Sequence, residues 1–280
     1  MPDCHRSRPT KVRRSLRMSA AFVMLAPYLL LLLLSLGTGW SFPGLLPDRL
    51  DGGPWRQLSG NSGLLRAALT GAALSLSAGI LATLFGLLIS RTLRRYNGLS
   101  QRLLRAILML PFAVSPVVAG VCLFDLAARI RLAGSFAGVL GGHVFFGTAT
   151  AAVVLSAAWS DRASRQELLV RSLGGNTLAV WRHVVWPETR SMLLVCLLQT
   201  ALLSWMDYGI VLQIGGGRVQ TLTLRLFALI RESSVNHAAL AALLLLLPAI
   251  PALLLVPARS TDRAPEHSGK ASMEPPGPAG

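Results

Sequence analysis

Residues 67–90 read AALTGAALSLSAGILATLFGLLIS, 24 consecutive positions without one ionisable side chain. As a helix rising 1.5 Å per residue, that stretch is about 36 Å long, enough to cross a hydrocarbon core of about 30 Å. Five more apolar blocks lie around it: Met18–Trp40, Ile107–Leu126, Ala133–Trp159, Met192–Met206 and Ala238–Val256. Met192–Met206 is short alone and reaches the needed length if its helix begins at Pro187 or Glu188; proline is well tolerated at a first helical position. Alternation of polar and apolar residues is missing, which excludes a β-barrel. Of the 280 residues, 52% are hydrophobic and 14% charged, against about 25% charged in soluble domains. The expected fold is all-α: a polytopic membrane protein of about six transmembrane helices.

The formal net charge of +15 raises the question of nucleic acid. The positions of the charges answer it. With the N-terminus inside, 19 Lys and Arg fall on cytoplasmic segments (residues 1–17, 91–105, 162–190 and 259–270) and 8 on outer segments. That asymmetry is the positive-inside signature for six spans with both ends cytoplasmic. The basic residues are spread among loops and form no recognisable nucleic-acid motif. The first block follows a basic stretch, as in a signal peptide, but its apolar run is longer and no A-x-A site follows; it reads as an uncleaved helix.

The chain divides into a basic cytoplasmic tail (1–17), a first helix with its outer loop (18–66), a transmembrane core (67–257) containing a cytoplasmic loop (160–190), and a disordered cytoplasmic tail (258–280). The Pro- and Gly-rich loop Phe42–Gly63 reads as an extended segment. Three cysteines, Cys4, Cys122 and Cys196, are too scattered for a disulfide framework or a metal site; the latter two read as packing residues. His143 has no second ligand at metal spacing and reads as a packing or hydrogen-bonding residue, so no metal is expected. Asp125 and Arg129 stand at i, i+4 and can pair.

The longest cytoplasmic connection, residues 160–190, reads SDRASRQELLVRSLGGNTLAVWRHVVWPETR. Leu168, Leu169 and Arg171–Leu173 suit a helix. Gly174 and Gly175 stop it, since glycine accepts positive φ beyond a helical C-terminus. Asn176 caps a second short helix over Thr177–Val184, with Leu178, Trp181 and Val184 or Val185 on one face. Pro187 ends the hairpin and opens the next span. An exposed aromatic–apolar face there either docks into a partner's groove or lies on lipid headgroups, with Trp181 and Trp186 as interface anchors.

The run Arg171-Ser-Leu173-Gly174-Gly175, followed by Trp181-Arg-His-Val184-Val-Trp-Pro187, resembles the EAA loop of binding-protein-dependent ABC transporter permeases. Gly-to-Pro spacing, the aromatic at Trp181 and Val184 agree with it. The family's E-A-A falls on Leu168–Val170, with Glu167 one position early, and Trp186 stands where the family has Leu. Ser204-Trp-Met-Asp207-Tyr208-Gly209 and Gly215-Gly-Gly-Arg218-Val-Gln-Thr221-Leu222 resemble the segment after the family's fifth span, with Asp for Glu and Tyr for Phe. Pro111-Phe-Ala-Val-Ser-Pro116 resembles the proline-broken third span. These later segments look most like permeases for thiamine, iron(III), polyamines and related solutes. The solute itself stays open, phosphonate included.

The resemblance implies the type I ABC importer permease fold and alternating access in a bacterial plasma (inner) membrane. It implies as partners two cytoplasmic ABC ATPase subunits, a second permease, the same or similar, and an extracytoplasmic solute-binding protein. It places ATPase coupling on Glu167, Leu173, Gly174, Gly175, Asn176, Trp181, Val184 and Pro187. The chain has no phosphate-cradling Gly-x4-Gly-Lys-Ser/Thr loop, so no cofactor and no enzyme activity of its own are expected; ATP belongs to the partners. Pro111 and Pro116 remove backbone donors and kink the third span, either to line a pathway or for packing. Ser204, Asp207 and Gly209 read as gate or solute contacts, with a plain loop boundary as the alternative for Asp207. Gly215–Gly217 read as a mouth-lining loop or a flexible connector. The other classes weighed are an ion-coupled secondary transporter, which usually shows repeats and midplane charges, and an intramembrane hydrolase, whose motifs are missing.

Overall fold

The computed structural model describes residues 10–38, 49–50, 52–60, 62–94, 96, 98–159 and 161–255. Residues 1–9 and 256–280 of the expected tails, with Pro43 and Pro47 of the expected outer loop, lie outside the described residues. The described chain is almost entirely helical: α1 (Thr10–Leu36), α2 (Gly53–Gly60), α3 (Ser62–Leu93), α4 (Leu99–Ala113), α5 (Pro116–Arg129) and α6 (Phe136–Ala158). It continues through α7 (Asp161–Ser172), α8 (Thr177–Val180), a π turn over Trp181–Val185, α9 (Trp186–Met206), α10 (Gly209–Gly215), α11 (Leu222–Arg231), α12 (Val235–Leu246) and α13 (Ala249–Leu255). A two-residue antiparallel pairing sets Gly37 opposite Leu50 and Thr38 opposite Arg49.

The centre is α3, clasped between α6 and α9. Small residues make that approach possible. A Cβ on Gly86 would lie 2.5 Å from Ala151 Cβ and 2.9 Å from its backbone carbon, and one on Gly147 would lie 2.7 Å from Ala82 Cβ. Small-on-small contact is the usual route to close helix packing where the solvent is as apolar as the side chains. Buried polar groups tie the end of α6 to α3, and α9 to α11 and α12. Trp159 Nε1 donates to Ser90 Oγ (3.2 Å), Trp205 Nε1 to Leu245 O (2.9 Å) and Thr223 Oγ1 to Trp205 O (2.9 Å). Many large apolar side chains face outward, among them Leu76, Leu84, Leu110 and Val118, as expected of a lipid-facing surface.

Four stretches are long and apolar enough to cross a membrane: Gly63–Leu93, Phe136–Ser156, Thr177–Met206 and Val235–Ala252. The pair α4–α5, bent by 103°, counts as a fifth if it is one broken span rather than a re-entrant loop. The described apolar part of α1, Leu25–Leu36, is shorter than a span, although its helical backbone runs 27 residues.

Several details differ from expectation. The loop after α1 is not extended throughout: Gly53–Gly60 is helical. Gly52 at φ +60° turns the chain, its carbonyl accepts from the Trp55 and Arg56 amides, and Trp55 Nε1 donates to Ser35 Oγ (3.1 Å). The third span does not kink at Pro111, which sits inside α4. The break is at Val114–Ser115, both with extended ψ, before Pro116 at the head of α5; proline drives its predecessor out of the helical region. Pro187 does not start a new helix. Helical backbone runs from Thr177 to Met206, and the wider π turn absorbs the clash that proline makes with the carbonyl four residues back. Gly215–Gly217 form a helix C-terminus and turn, Gly216 and Gly217 at φ +52° and +77°. Cys196 is buried as expected, whereas Cys122 is exposed on α5. The Asp125–Arg129 pair is made, at 2.8 Å on the surface.

Candidate functional site

Two places collect the residues singled out in the sequence: the hairpin α7–α8 and a cavity near the far end of α9.

In the hairpin, α7 ends as its sequence demands. Gly174 sits at φ +79°, its amide donates to Arg171 O (3.0 Å) and the Gly175 amide to Val170 O (2.9 Å). No side chain fits at Gly175, where a Cβ would lie 2.6 Å from Val170 O. Asn176 Oδ1 accepts from the Ala179 amide at 2.9 Å and caps α8. Glu167 is held by two arginines, Arg91 from α3 at 2.9 Å and Arg171 at 3.1 Å. Burial pushes its carboxyl up, but the hydrogen bonds and charges of Arg171 and Arg91 outweigh that and hold it below the ordinary carboxylate value. The Arg91 guanidinium also lies 5.1 Å from the Trp181 ring centre.

The expected exposed face of α8 is turned the other way. Val184 and Val185 are buried and Trp181 is half-buried against the cluster of Leu87, Leu155 and Cys196. Their burial anchors the hairpin to α3, α6 and α9, because the apolar stripe of α8 finds its partners inside the chain. The residues that project are Leu173 (86% exposed) and Leu178 (73%), with Leu168, Leu169 and Trp186 beside them. Arg91 was missed by sequence reading; it stands 76 residues from its acid, and nothing local marks it.

The second place is a cavity of about 260 Å³ that touches Pro111, Ser204 and Asp207 together with His143, Phe146 and Thr200. Gly209 adjoins it under α5: a Cβ there would lie 3.1 Å from Val117 Cγ2. The cavity thus gathers Pro111, Ser204 and Asp207 of the expected pathway residues, while Pro116 and Gly209 do not line it. His143, expected to pack or to form a hydrogen bond, is the link and does both. It is buried, with Nδ1 2.5 Å from Ser204 Oγ and Nε2 3.3 Å from Asp207 Oδ2. Asp207 Oδ2 also accepts from the amides of Ile210 (2.9 Å) and Val211 (3.3 Å), capping α10. Asp207 is thus no plain loop-boundary acid. Among the described residues, no group of three or more His, Cys, Asp or Glu could hold a metal.

No protein-family model matches the chain. Over 221 residues it is 27% identical to the molybdenum transport system permease protein ModB of Mycobacterium tuberculosis (strain ATCC 25618 / H37Rv), covering 72% of this chain and 80% of that protein. The same figures hold for ModB of Mycobacterium bovis (strain ATCC BAA-935 / AF2122/97). The apolar helices, the order of the motifs and this likeness agree on a multi-pass membrane protein that is the permease subunit of an ABC importer.

Proposed function

We propose that the chain is the translocation subunit of an importer driven by two ABC ATPases that dock on the hairpin 161–185. It works beside a second permease, the same chain or a similar one, and receives a small solute from an extracytoplasmic binding protein. It sits in a bacterial plasma membrane with the hairpin and both termini cytoplasmic. ATP is bound and hydrolysed by the partners.

One observation carries this reading. Leu173 and Leu178 project from a hairpin that is otherwise fixed in the body of the protein. The same helical rod that carries Leu178 runs 30 residues, about 45 Å, from Thr177 to Met206. Its far end holds Ser204 and adjoins Asp207 at the cavity. A push on the hairpin is therefore delivered to the cavity without a flexible joint, which suits alternating access by rigid-body motion. The relatives' names state molybdenum transport, and the later segments resemble carriers of thiamine, iron(III) or polyamines. All are small solutes. A cavity of about 260 Å³ lies just below the usual range of about 300–1,000 Å³ for larger ligands.

The test is recovery of the ATPase on the purified permease. Leu173→Glu together with Leu178→Glu places two charges on the docking face while leaving the buried Val180, Val184 and Val185 untouched. Recovery should fall tenfold or more at unchanged membrane levels of the permease. Full recovery would overturn ATPase docking at this face and leave the hairpin lying on lipid headgroups.

A further inference from the structure

The cavity holds a carboxylate whose bonding is half used. Asp207 Oδ2 takes all three donors, the amides of Ile210 and Val211 and the imidazole of His143. Oδ1 has no hydrogen-bond partner among the described residues, and the side chain is 15% exposed, lining the cavity. An ionised carboxylate offers about four acceptor sites, so half of its capacity faces the open volume. No Lys or Arg lines the cavity. The remaining wall is largely apolar, with the rings of Phe112 and Phe146 and the side chains of Leu203 and Ile210. A buried negative charge among apolar groups is costly unless a positive partner arrives.

We propose that this cavity is a subsite for a small organic cation, with Asp207 Oδ1 as its counter-charge and Phe112 and Phe146 as its ring faces. The proposal rests on the permease reading and adds the class of solute. His143 is a positioning residue. Its Nε2 faces Asp207 Oδ2. Nδ1 faces Ser204 Oγ one turn earlier on α9, which fixes the ring. An inorganic oxyanion meets the wrong charge here, since it would set a second negative group against Asp207 in a cavity without a fixed cation.

The test uses the full chain, co-purified with its ATPase partner in lipid nanodiscs and titrated calorimetrically with choline, thiamine, putrescine and molybdate. At least one of the three cations binds the wild type, and molybdate does not. Asp207→Asn keeps an oxygen for the Ile210 and Val211 amides, so α10 stays capped, yet cation binding weakens tenfold or more. Asp207→Glu restores part of it. Three results would each overturn the proposal: no cation binding to the wild type, cation binding unchanged in Asp207→Asn, or molybdate binding that survives Asp207→Asn. ATPase recovery on the wild type reports separately on the permease reading; its loss would remove that reading and this subsite with it.

Discussion

Glu167 shows how one residue ties the hairpin to the body. Its two arginines come from different elements, Arg171 from its own helix and Arg91 from the end of α3. Its carboxyl is held below the ordinary value of 4.5. A carboxylate with a depressed folded pKa contributes stability above its unfolded value and loses it as pH falls through the folded one. The α7 amides should therefore exchange faster with deuterium as pH drops below about 4.5, after correction for intrinsic exchange rates. Glu167→Gln should abolish that acid-induced step and cost about 1–2 kcal/mol, the pair being only partly buried. An unchanged profile in Glu167→Gln would show that another group holds the hairpin. At this scale the sequence was legible wherever the chemistry is local. Gly174 at positive φ and the Asn176 cap need only their neighbours. The Arg91 partner and the His143–Ser204–Asp207 link join residues more than 60 positions apart, and a lone histidine in an apolar run gives no sign of them.

At the scale of elements, periodicity groups residues on a face without saying where that face points. Leu178, Trp181 and Val184 read as one outward stripe, but the chain had its own use for Trp181 and Val184, and Leu178 alone stayed outside. Prolines misled for a related reason. Both Pro111 and Pro187 lie within continuous helical backbone, while Pro116 marks a real break because two extended residues precede it. Helix lengths and boundaries were legible to within a turn or two for α3 and α6, whose apolar runs are uninterrupted, whereas the block Ala238–Val256 breaks at Leu247–Pro248 into α12 and α13. The α3–α6 crossing was not legible, since Gly86 and Gly147 resemble any other small residue in a membrane helix. That crossing makes a sharp prediction. Gly86→Val puts a branched side chain where backbone atoms of α6 already stand at 2.9 Å from a first carbon. It should destabilise the fold by about 1–3 kcal/mol, the usual cost of overpacking. Gly141→Ala on α6, with open space at its Cβ, should cost a few tenths at most by propensity, if anything stabilising. Reversible unfolding of the purified variants in mixed micelles compares the two; equal midpoints would refute the tight crossing.

At the scale of the whole molecule, contacts at the two ends fix the direction in which each long helix runs. Arg91 and Arg94 of the α3 end meet Glu167 and Trp159, so α3 and α6 finish at the hairpin end. Gly134, just before α6, bonds to Ile214 O and adjoins Arg218, so α6 begins at the other end. The bent pair α4–α5 therefore carries the chain from the hairpin end to the far end, which favours a broken crossing over a re-entrant loop. Asn236 of α12 donates to Gly37 O, which sets the end of α1 beside the start of α12. His237 of α12 also meets Gln57 of α2, just before α3 begins (3.0 Å). The helices α3, α4–α5, α6, α9 and α12 then alternate in direction between the two ends, and α1 ends beside the start of α12. With α1 counted as a sixth pass, this alternation matches the parity of the 19 and 8 Lys and Arg on alternate segments. In the proposed orientation, the charge bias sets the hairpin end on the cytoplasmic side. Reporter fusions at Gly98 and Gly174 should then signal cytoplasm, and fusions at Gly53, Arg131 and Gly217 the opposite face. Arg131 is the informative position, because it follows the bent pair. A re-entrant α4–α5 would put Arg131 on the same side as Gly98, and a cytoplasmic signal there with an outer signal at Gly217 would refute the crossing. If every signal inverted together, the path would stand and the charge-based orientation would fall, taking with it the docking of a cytoplasmic ATPase on Leu173 and Leu178.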